Sequence, residues 1–143
     1  MKIVSLALSK RKGTPKTRVD HARVLTDHGM EGDAHAGAWH RQVSLLATES
    51  IGKARRQGLD VGFGDFAENI ATEGINLVEL KIGTRLKLGS DVILEISQIG
   101  KQCHKKCAIY YKAGDCIMPK EGVFARVIAG GDLRCDDAVE IVA

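Results

Sequence analysis

Three of the four cysteines lie close together in the last third of the chain, at Cys103, Cys107 and Cys116. Basic side chains, among them Lys101 and His104, surround these cysteines in the sequence. Nearby positive charge stabilises a thiolate, which is the form of cysteine that attacks electrophiles and binds soft metals. A thiolate at Cys103 could therefore carry a persulfide, attack a sulfur donor or ligate a soft metal, with Cys107 as a second thiol.

The same cysteines can be interpreted in two other ways. A zinc or iron–sulfur site would need a fourth ligand, and the spacing between Cys103 and Cys107 is not common in structural zinc sites. A structural zinc-binding protein without catalysis is therefore an alternative. Free cysteines are also often small buried hydrophobic residues, and we prefer this interpretation for Cys116 and Cys135. Cys103 differs because it follows an alternating apolar run and a glycine–lysine turn, which predicts a strand end that faces a cleft.

A glycine-punctuated loop, residues 27–41, is the second candidate for chemistry. It brings histidines and an arginine together with the only tryptophan of the chain, and its glycines allow backbone conformations with positive φ. Loops of this kind between strands often hold binding groups, and Asp33, His35, His40 and Arg41 are therefore candidate ligand contacts. Alternatively, Asp33 and His35 merely close turns, and the histidine spacing matches no standard metal triad.

Two further polar segments flank this loop in the sequence. In residues 62–70, Glu68 and Asn69 can position a ligand or hold neighbouring loops, and we prefer the structural role for Glu68. The glycine pair of that segment precedes no long helix, which argues against a phosphate-binding P-loop. The basic turn of residues 9–16 is interpreted as a solvated loop in preference to an anion clamp.

Composition limits the class of protein. With 143 residues, of which 44% are hydrophobic, the chain is expected to form one domain, residues 1–143, with its own core. A net charge of +3 and an aromatic content of 4% argue against nucleic acid as a partner and favour a small anionic ligand. Since we recognise no secretion signal and no stretch that could span a bilayer, we expect no membrane association and a cytoplasmic location with reduced thiols.

The elements that must position these residues are mostly strands. Alternating or apolar runs predict strands at residues 2–8, 18–26, 42–46, 69–72, 84–88, 92–97, 123–128 and 137–142. One clear helix is predicted from Thr48 as N-cap to Gly58, and Gly130–Gly131 predicts a two-residue hairpin. Regularly spaced strands with glycine turns, one α-helix and short helical turns favour a mainly β protein, barrel-like or a sandwich.

Several of these segments, taken together and in this order, resemble the MOSC domain, the family named for the C-terminal region of molybdenum-cofactor sulfurase. The resemblance runs from about Lys2 to Val142, and the chain looks like the small stand-alone prokaryotic members. The matching motifs are Gly32-Asp33-Ala-His35-Ala-Gly37, Val43-Ser44-Leu45-Leu46 with Glu49, Gly64-Asp65-Phe66-Ala67-Glu68-Asn69-Ile70, Gly83, Ile99-Gly100-Lys101-Gln-Cys103-His104, and Gly122-Val-Phe-Ala-Arg126-Val with Gly130-Gly131.

The resemblance implies a mostly β, barrel-like fold that binds the molybdenum cofactor (molybdopterin), a pterin dithiolene that carries phosphate. It also implies a key cysteine at the position of Cys103. In relatives this cysteine is proposed to carry sulfur to the metal; in related reductases a cysteine ligates molybdenum while N-hydroxylated substrates lose oxygen. The implied cofactor contacts are Lys101, His104, Asp33, His35, His40, Arg41, Ser44, Glu68, Asn69 and Arg126, with Cys103 as the metal ligand.

The leading hypothesis is a molybdenum-cofactor-binding protein that acts as a sulfur carrier in cofactor maturation, with Cys103 and Cys107 as the catalytic thiols. The alternative is a molybdenum-dependent reductase of N-hydroxylated compounds. Whether the chain turns over a substrate, as a sulfurtransferase or as such a reductase, is left open by the sequence.

Three departures from the family pattern bear on partners. This chain has no pyridoxal-phosphate cysteine-desulfurase domain, so that a cysteine desulfurase or another sulfur donor is expected, with a molybdoenzyme or a cofactor-biosynthesis protein as acceptor. The additional N-terminal β region of the reductases is also absent, which leaves a partner or a second subunit in a homo-oligomer to complete the site. Ala67 and Asp136 stand where relatives often have glycine.

Overall fold

The computed structural model describes residues 1–12, 14–100 and 121–142. Within these ranges the chain forms eleven strands: β1 (Lys2–Leu8), β2 (Thr17–Val19), β3 (His21–Leu25), β4 (Gly29–Met30), β5 (Val43–Ala47), β6 (Ile70–Glu73), β7 (Arg85–Leu88), β8 (Val92–Ile99), β9 (Val123–Ala129), β10 (Gly131–Arg134) and β11 (Val139–Val142). The helices of this part are α1 (Thr48–Arg56) and a short 3₁₀ helix (Leu77–Glu79). The prediction of a mainly β protein with one α-helix is confirmed.

The strands form two sheets. The larger has eight strands in the order β11-β7-β8-β9-β5-β6-β1-β2, and the smaller has the order β10-β3-β4. The pairings are antiparallel except for β5 with β6. Parallel neighbours need a long crossover, and the segment that contains α1 provides it.

The barrel-like closure that the sequence predicts is not found. The two sheets are not closed into a barrel, because β11 and β2 are the two edges of the larger sheet. Near these edges, β1 meets the segment before β11 through the isolated bridge Lys2↔Ala138. One bridge is too short to continue a ladder, and the sheet stays open there.

The alternation in the strands builds the core. On β8, Val92, Leu94 and Ile96 are fully buried, as the period-two pattern predicts. Burial of each such side chain stabilises the fold by roughly 1.5–3 kcal/mol. A second, smaller cluster joins the buried face of α1 to the sheet and includes Phe66 and Phe124. The core therefore lies on both faces of the larger sheet and fixes the loops between its strands.

Two local predictions were wrong for the same reason. Gly130–Gly131 does not form a hairpin, because β9 and β10 belong to different sheets and β10 pairs with β3. A Cβ at Gly130 would lie 2.4 Å from Val24 O, so that the glycine permits a close passage between the sheets. The predicted strand 18–26 likewise divides into β2 and β3, which also belong to different sheets.

The helix ends differ in how well they were predicted. Ala47, not Thr48, is the N-cap, and no side chain caps the helix start. Gly58 has φ +97° just after the last turn, which is the left-handed conformation that ends helices and favours glycine. Of the helices in the described ranges, none is long and apolar enough to cross a membrane.

Candidate functional site

The loop after β4 and the basic turn before β2 meet in a buried ion pair. Lys16 Nζ lies 2.8 Å from Asp33 Oδ1, and neither side chain has exposed surface. The same ammonium lies 3.1 Å from Ser9 Oγ and 3.0 Å from His35 Nδ1. The Asp33 carboxylate also accepts the backbone N–H groups of Ser9 at 3.0 Å and His35 at 3.1 Å. Lys16 is therefore a buried anchor of the loop, and not part of the solvated turn that the sequence suggests.

Asp33 is held ionised in this environment. Burial by itself would raise the pKa of Asp33, but the hydrogen bond and the charge of Lys16 lower it, as do the Ser9 N–H and the Asn69 side chain. The balance keeps the pKa of Asp33 below its ordinary value. The carboxylate thus both closes the turn to His35 and binds a buried cation, which combines the two roles considered for it.

Cationic and aromatic side chains form the wall next to this ion pair. Arg41 lies with its guanidinium carbon 4.6 Å from the Trp39 ring centre and 5.7 Å from that of Phe124. Lys12 Nζ lies 4.5 Å from the Trp39 ring centre, and the His35 ring is parallel to it at 6.3 Å. Trp39 is itself held by its Nε1–H, which donates to His35 O at 2.6 Å. We call Lys12, His35, Trp39, Arg41 and Phe124 the Trp39 cluster.

Arg41 has a buried donor that its surroundings do not satisfy. Its Nε is buried and has no hydrogen-bond partner in the described part of the chain. A buried unsatisfied donor costs roughly 1–3 kcal/mol, and most native structures avoid it. An anion at this position would remove the deficit, since the guanidinium edge suits bidentate binding of phosphate or carboxylate.

His40 connects the Trp39 cluster to the end of β8. Its Nε2 lies 2.8 Å from Gln98 Oε1, and its carbonyl accepts the hydroxyl of Ser97. Just beyond, the Gly100 N–H donates to Gly122 O at 2.7 Å. The chain therefore leaves the described structure after residue 100 and re-enters it at residue 121 at one place, close to His40.

Ser44 and Asn69 form a buried network that joins three strands. Ser44 Oγ lies 3.1 Å from both Ala67 O and Asn69 Oδ1, and it accepts the Asn69 N–H. The Asn69 side chain donates to Ala7 O at 3.1 Å and also acts on Asp33. These two predicted contacts thus fix β1, β5 and the start of β6 relative to the Asp33 loop.

Glu68 is buried in its own loop. Its carboxylate accepts the N–H groups of Gly64 at 2.8 Å and Phe66 at 3.2 Å. Burial raises the pKa of Glu68 to about 7, although those backbone hydrogen bonds lower it; the neighbouring charge of Asp65 adds to the rise. The Gly64 carbonyl in turn accepts the Lys16 N–H at 2.7 Å, so that this loop supports the buried lysine.

The remaining predicted residues fall elsewhere. Arg126 is exposed on β9, opposite Glu95 of β8. Lys101, Cys103, His104 and Cys107 lie outside the described residues. In residues 1–12, 14–100 and 121–142, no group of three His, Cys, Asp or Glu side chains could hold a metal ion.

Cys135 fits the interpretation as a small hydrophobic residue. It is half-buried and packs against the larger core cluster.

Sequence reasoning missed Lys16 and Phe124 as parts of the site. Lys16 stands in a run of basic residues in which nothing distinguishes it, apart from the proline before it. Phe124 lies opposite Ser44 in the β5–β9 pairing, which the sequence alone does not reveal. Both residues reach the Asp33–Arg41 loop only through long-range pairing.

The comparisons with known proteins follow this geometry. The YUAD protein from Bacillus subtilis is similar in structure, with a TM-score of 0.81 at 18% identity over 98% of this chain and 94% of that one. YiiM from Escherichia coli has a TM-score of 0.71 at 23% identity, over 100% of this chain and 70% of its own. YiiM from Geobacillus stearothermophilus has a TM-score of 0.75 at 21% identity, over 99% and 75%. At these identities the similarity shows a shared fold.

None of the curated protein sequences matches the chain. The sequence profile of the MOSC domain, in contrast, matches residues 32–140, which include the Asp33–Arg41 loop, the Glu68 loop and β5 to β10. That family is associated with the molybdenum cofactor. The matched region covers most of the chain, and this protein therefore belongs to the MOSC domain family.

Proposed function

We propose that this protein binds the molybdenum cofactor through the Trp39 cluster and carries sulfur on Cys103 during maturation of that cofactor. The single observation that supports the binding site is Arg41, whose buried Nε lacks a partner among the described residues while its guanidinium lies between two aromatic rings. The MOSC profile match supports the identity of the ligand.

The chemistry of the Trp39 cluster suits a phosphate-bearing pterin. Arg41 is held by stacking on Trp39 and Phe124, so that its donors keep a fixed plane and can bind a phosphate in a bidentate manner. Lys12 adds a second positive charge over the Trp39 ring. The cofactor, when bound, supplies a metal centre that exchanges oxygen and sulfur ligands. In this proposal the residues of the cluster hold the anionic end and orient the ligand.

The position of Cys103 in the sequence connects the thiol to this wall. Gln98 and Gly100 lie beside His40, and Cys103 follows Gly100 by three residues. Three residues span at most about 11 Å of extended chain. The proposal therefore requires no long connection between the thiol and the cluster.

The sulfur step is a thiolate–persulfide exchange. The Cys103 thiolate attacks the outer sulfur of a donor persulfide R–S–SH, the donor S–S bond breaks, and the products are Cys103–S–SH and the thiolate R–S⁻. For release, the Cys107 thiol attacks the inner sulfur of Cys103, which leaves a Cys103–Cys107 disulfide and expels the outer sulfur as hydrosulfide. An external dithiol then reduces the disulfide. The donor is a cysteine desulfurase or another persulfide protein.

Mass spectrometry of the protein as isolated tests the proposal. We expect one added sulfur on Cys103, a co-purified pterin and molybdenum, with the added sulfur lost in Cys103→Ser and kept in the control Cys135→Ser. Arg41→Gln should lower the pterin content at least tenfold, because a hydrogen bond to a charged group contributes roughly 1.5–3 kcal/mol. Stoichiometric zinc without pterin would contradict the proposal, as would an unmodified Cys103 after incubation with a persulfide donor. Turnover of a hydroxylamine would assign the chain to the reductases instead.

A further inference from the structure

The buried ammonium of Lys16 has three acceptors around it. They are Asp33 Oδ1 at 2.8 Å, His35 Nδ1 at 3.0 Å and Ser9 Oγ at 3.1 Å. The Ser9 hydroxyl uses its own hydrogen for Arg11 O at 2.9 Å, so that its oxygen accepts from the lysine. An ammonium has three N–H donors and no acceptor. The three donors therefore match the three acceptors one to one.

This match decides the protonation of the His35 ring. Asp33 is ionised and fully buried, so that its partner must carry the positive charge. Since the charged lysine can only donate, Nδ1 of His35 must accept, and a neutral imidazole then carries its hydrogen on Nε2. A proton on Nδ1 would instead point at a cation 3.0 Å away.

We propose that Lys16 and Asp33 hold His35 as a neutral imidazole protonated on Nε2, and that this N–H donates a hydrogen bond to the anion bound at the Trp39 cluster. The second half of this statement rests on the proposed function; the tautomer does not. His35 is thereby a positioning residue that distinguishes acceptors from donors in the ligand.

The surroundings keep the ring in place for this role. The His35 ring is parallel to Trp39, with an angle of 5° between the planes. Its backbone N–H donates to Asp33 and its carbonyl accepts from the Trp39 indole. The side chain is 16% exposed, so that one part of the ring still reaches the surface of the cluster. A neutral donor adds no further charge beside Lys12 and Arg41, and its orientation provides selectivity.

The tautomer is measured directly on wild-type protein. Long-range ¹H–¹⁵N correlation spectra of the five histidines should show His35 with an unprotonated Nδ1 and a protonated Nε2. His28, which is exposed, is the internal reference and should show the usual mixture of tautomers. A His35 ring protonated on Nδ1, or an imidazolium at neutral pH, would overturn the proposal without any variant being needed.

The donor role is tested with two substitutions at His35 and one control. The only tryptophan lies in the cluster, so that its fluorescence reports binding of inorganic phosphate there, and pterin content is measured on the same preparations. The amide N–H of His35→Gln can replace the Nε2–H, whereas His35→Leu has no donor. We expect phosphate affinity and pterin content to fall about tenfold or more in His35→Leu, and by less than about threefold in His35→Gln and in the control His28→Leu.

The outcomes separate the two proposals. If wild-type protein binds phosphate and pterin and His35→Leu binds them equally well, the donor role is overturned while the proposed function stands. If wild-type protein binds neither, both the proposed function and the donor role fail, whereas the spectrum still decides the tautomer. If His35→Gln loses as much as His35→Leu, the role of the N–H is overturned in favour of simple packing.

Discussion

Replacing Lys16 by methionine should destabilise this protein far more than an ordinary lysine substitution. Methionine keeps most of the side-chain volume but removes the ammonium, which lies 2.8 Å from Asp33 with both side chains fully buried. The carboxylate then keeps its two backbone N–H partners and loses its only printed counter-ion contact in the described structure. Removing one partner of a buried pair costs roughly 3–5 kcal/mol, because a buried charge is left uncompensated.

The chain provides a matched control for this substitution. Lys2 pairs with Asp136 at 3.5 Å, but the two side chains are 47% and 81% exposed. Exposed pairs contribute about 0–1 kcal/mol, so that Lys2→Met should change the free energy of unfolding by less than about 1 kcal/mol. Both variants are measured by urea denaturation followed by circular dichroism. Since domains of this size are stable by roughly 5–15 kcal/mol, the loss in Lys16→Met is large enough to measure.

A double variant tests the reason for the loss. In Lys16→Met with Asp33→Asn the uncompensated carboxylate is gone, and the double variant should be more stable than the sum of the two single effects allows, by roughly 0.5–3 kcal/mol. Strict additivity, or a Lys16→Met cost equal to that of Lys2→Met, would refute the view that this pair is a buried, coupled unit.

Two further outcomes concern the loop that supports Lys16. The folded-state pKa of Glu68 is about 7 and its ordinary value is 4.5; its contribution to stability is thus complete below about pH 4.5 and is lost as the pH rises through 7, by roughly 3 kcal/mol. Urea titrations from pH 5 to 8 should show this decline in wild type and a flatter profile in Glu68→Gln; parallel profiles would contradict it. Gly64→Ala should cost roughly 1–3 kcal/mol more than Gly32→Ala, because both glycines have φ near +86° but only at Gly64 would the new Cβ meet a backbone oxygen, that of Lys16 at 2.1 Å. Equal unfolding midpoints for the two alanine variants would show that the loop relaxes without cost.

Much of the local structure could be predicted because it depends on neighbours in the sequence. The period-two pattern of β7 and β8 and the glycine turn between them reproduce the observed antiparallel pair. Gly58 ends α1 as predicted, since a left-handed residue after the last turn is a local requirement. The motif order was also sufficient to indicate the MOSC family, which the profile match to residues 32–140 bears out.

Long-range pairing was beyond the sequence. Gly130–Gly131 has the composition of a hairpin, but the second strand pairs with β3, because the smaller sheet needs a partner for β3 and the glycine permits a close passage over Val24. A local propensity is worth a few tenths of a kcal/mol to about one, and burial of a strand face outweighs it.

The candidate site divides in the same way. The sequence by itself determined which residue types are available: the cysteines after β8, the loop with Asp33, His35 and Arg41, and the family in which these occur. Only the tertiary structure decided that Lys16 is the buried partner of Asp33 and that Phe124 stacks on Arg41. The physical reason is that burial and pairing of charge depend on strands that are distant in sequence, and no local pattern records which lysine of a basic run will be removed from water.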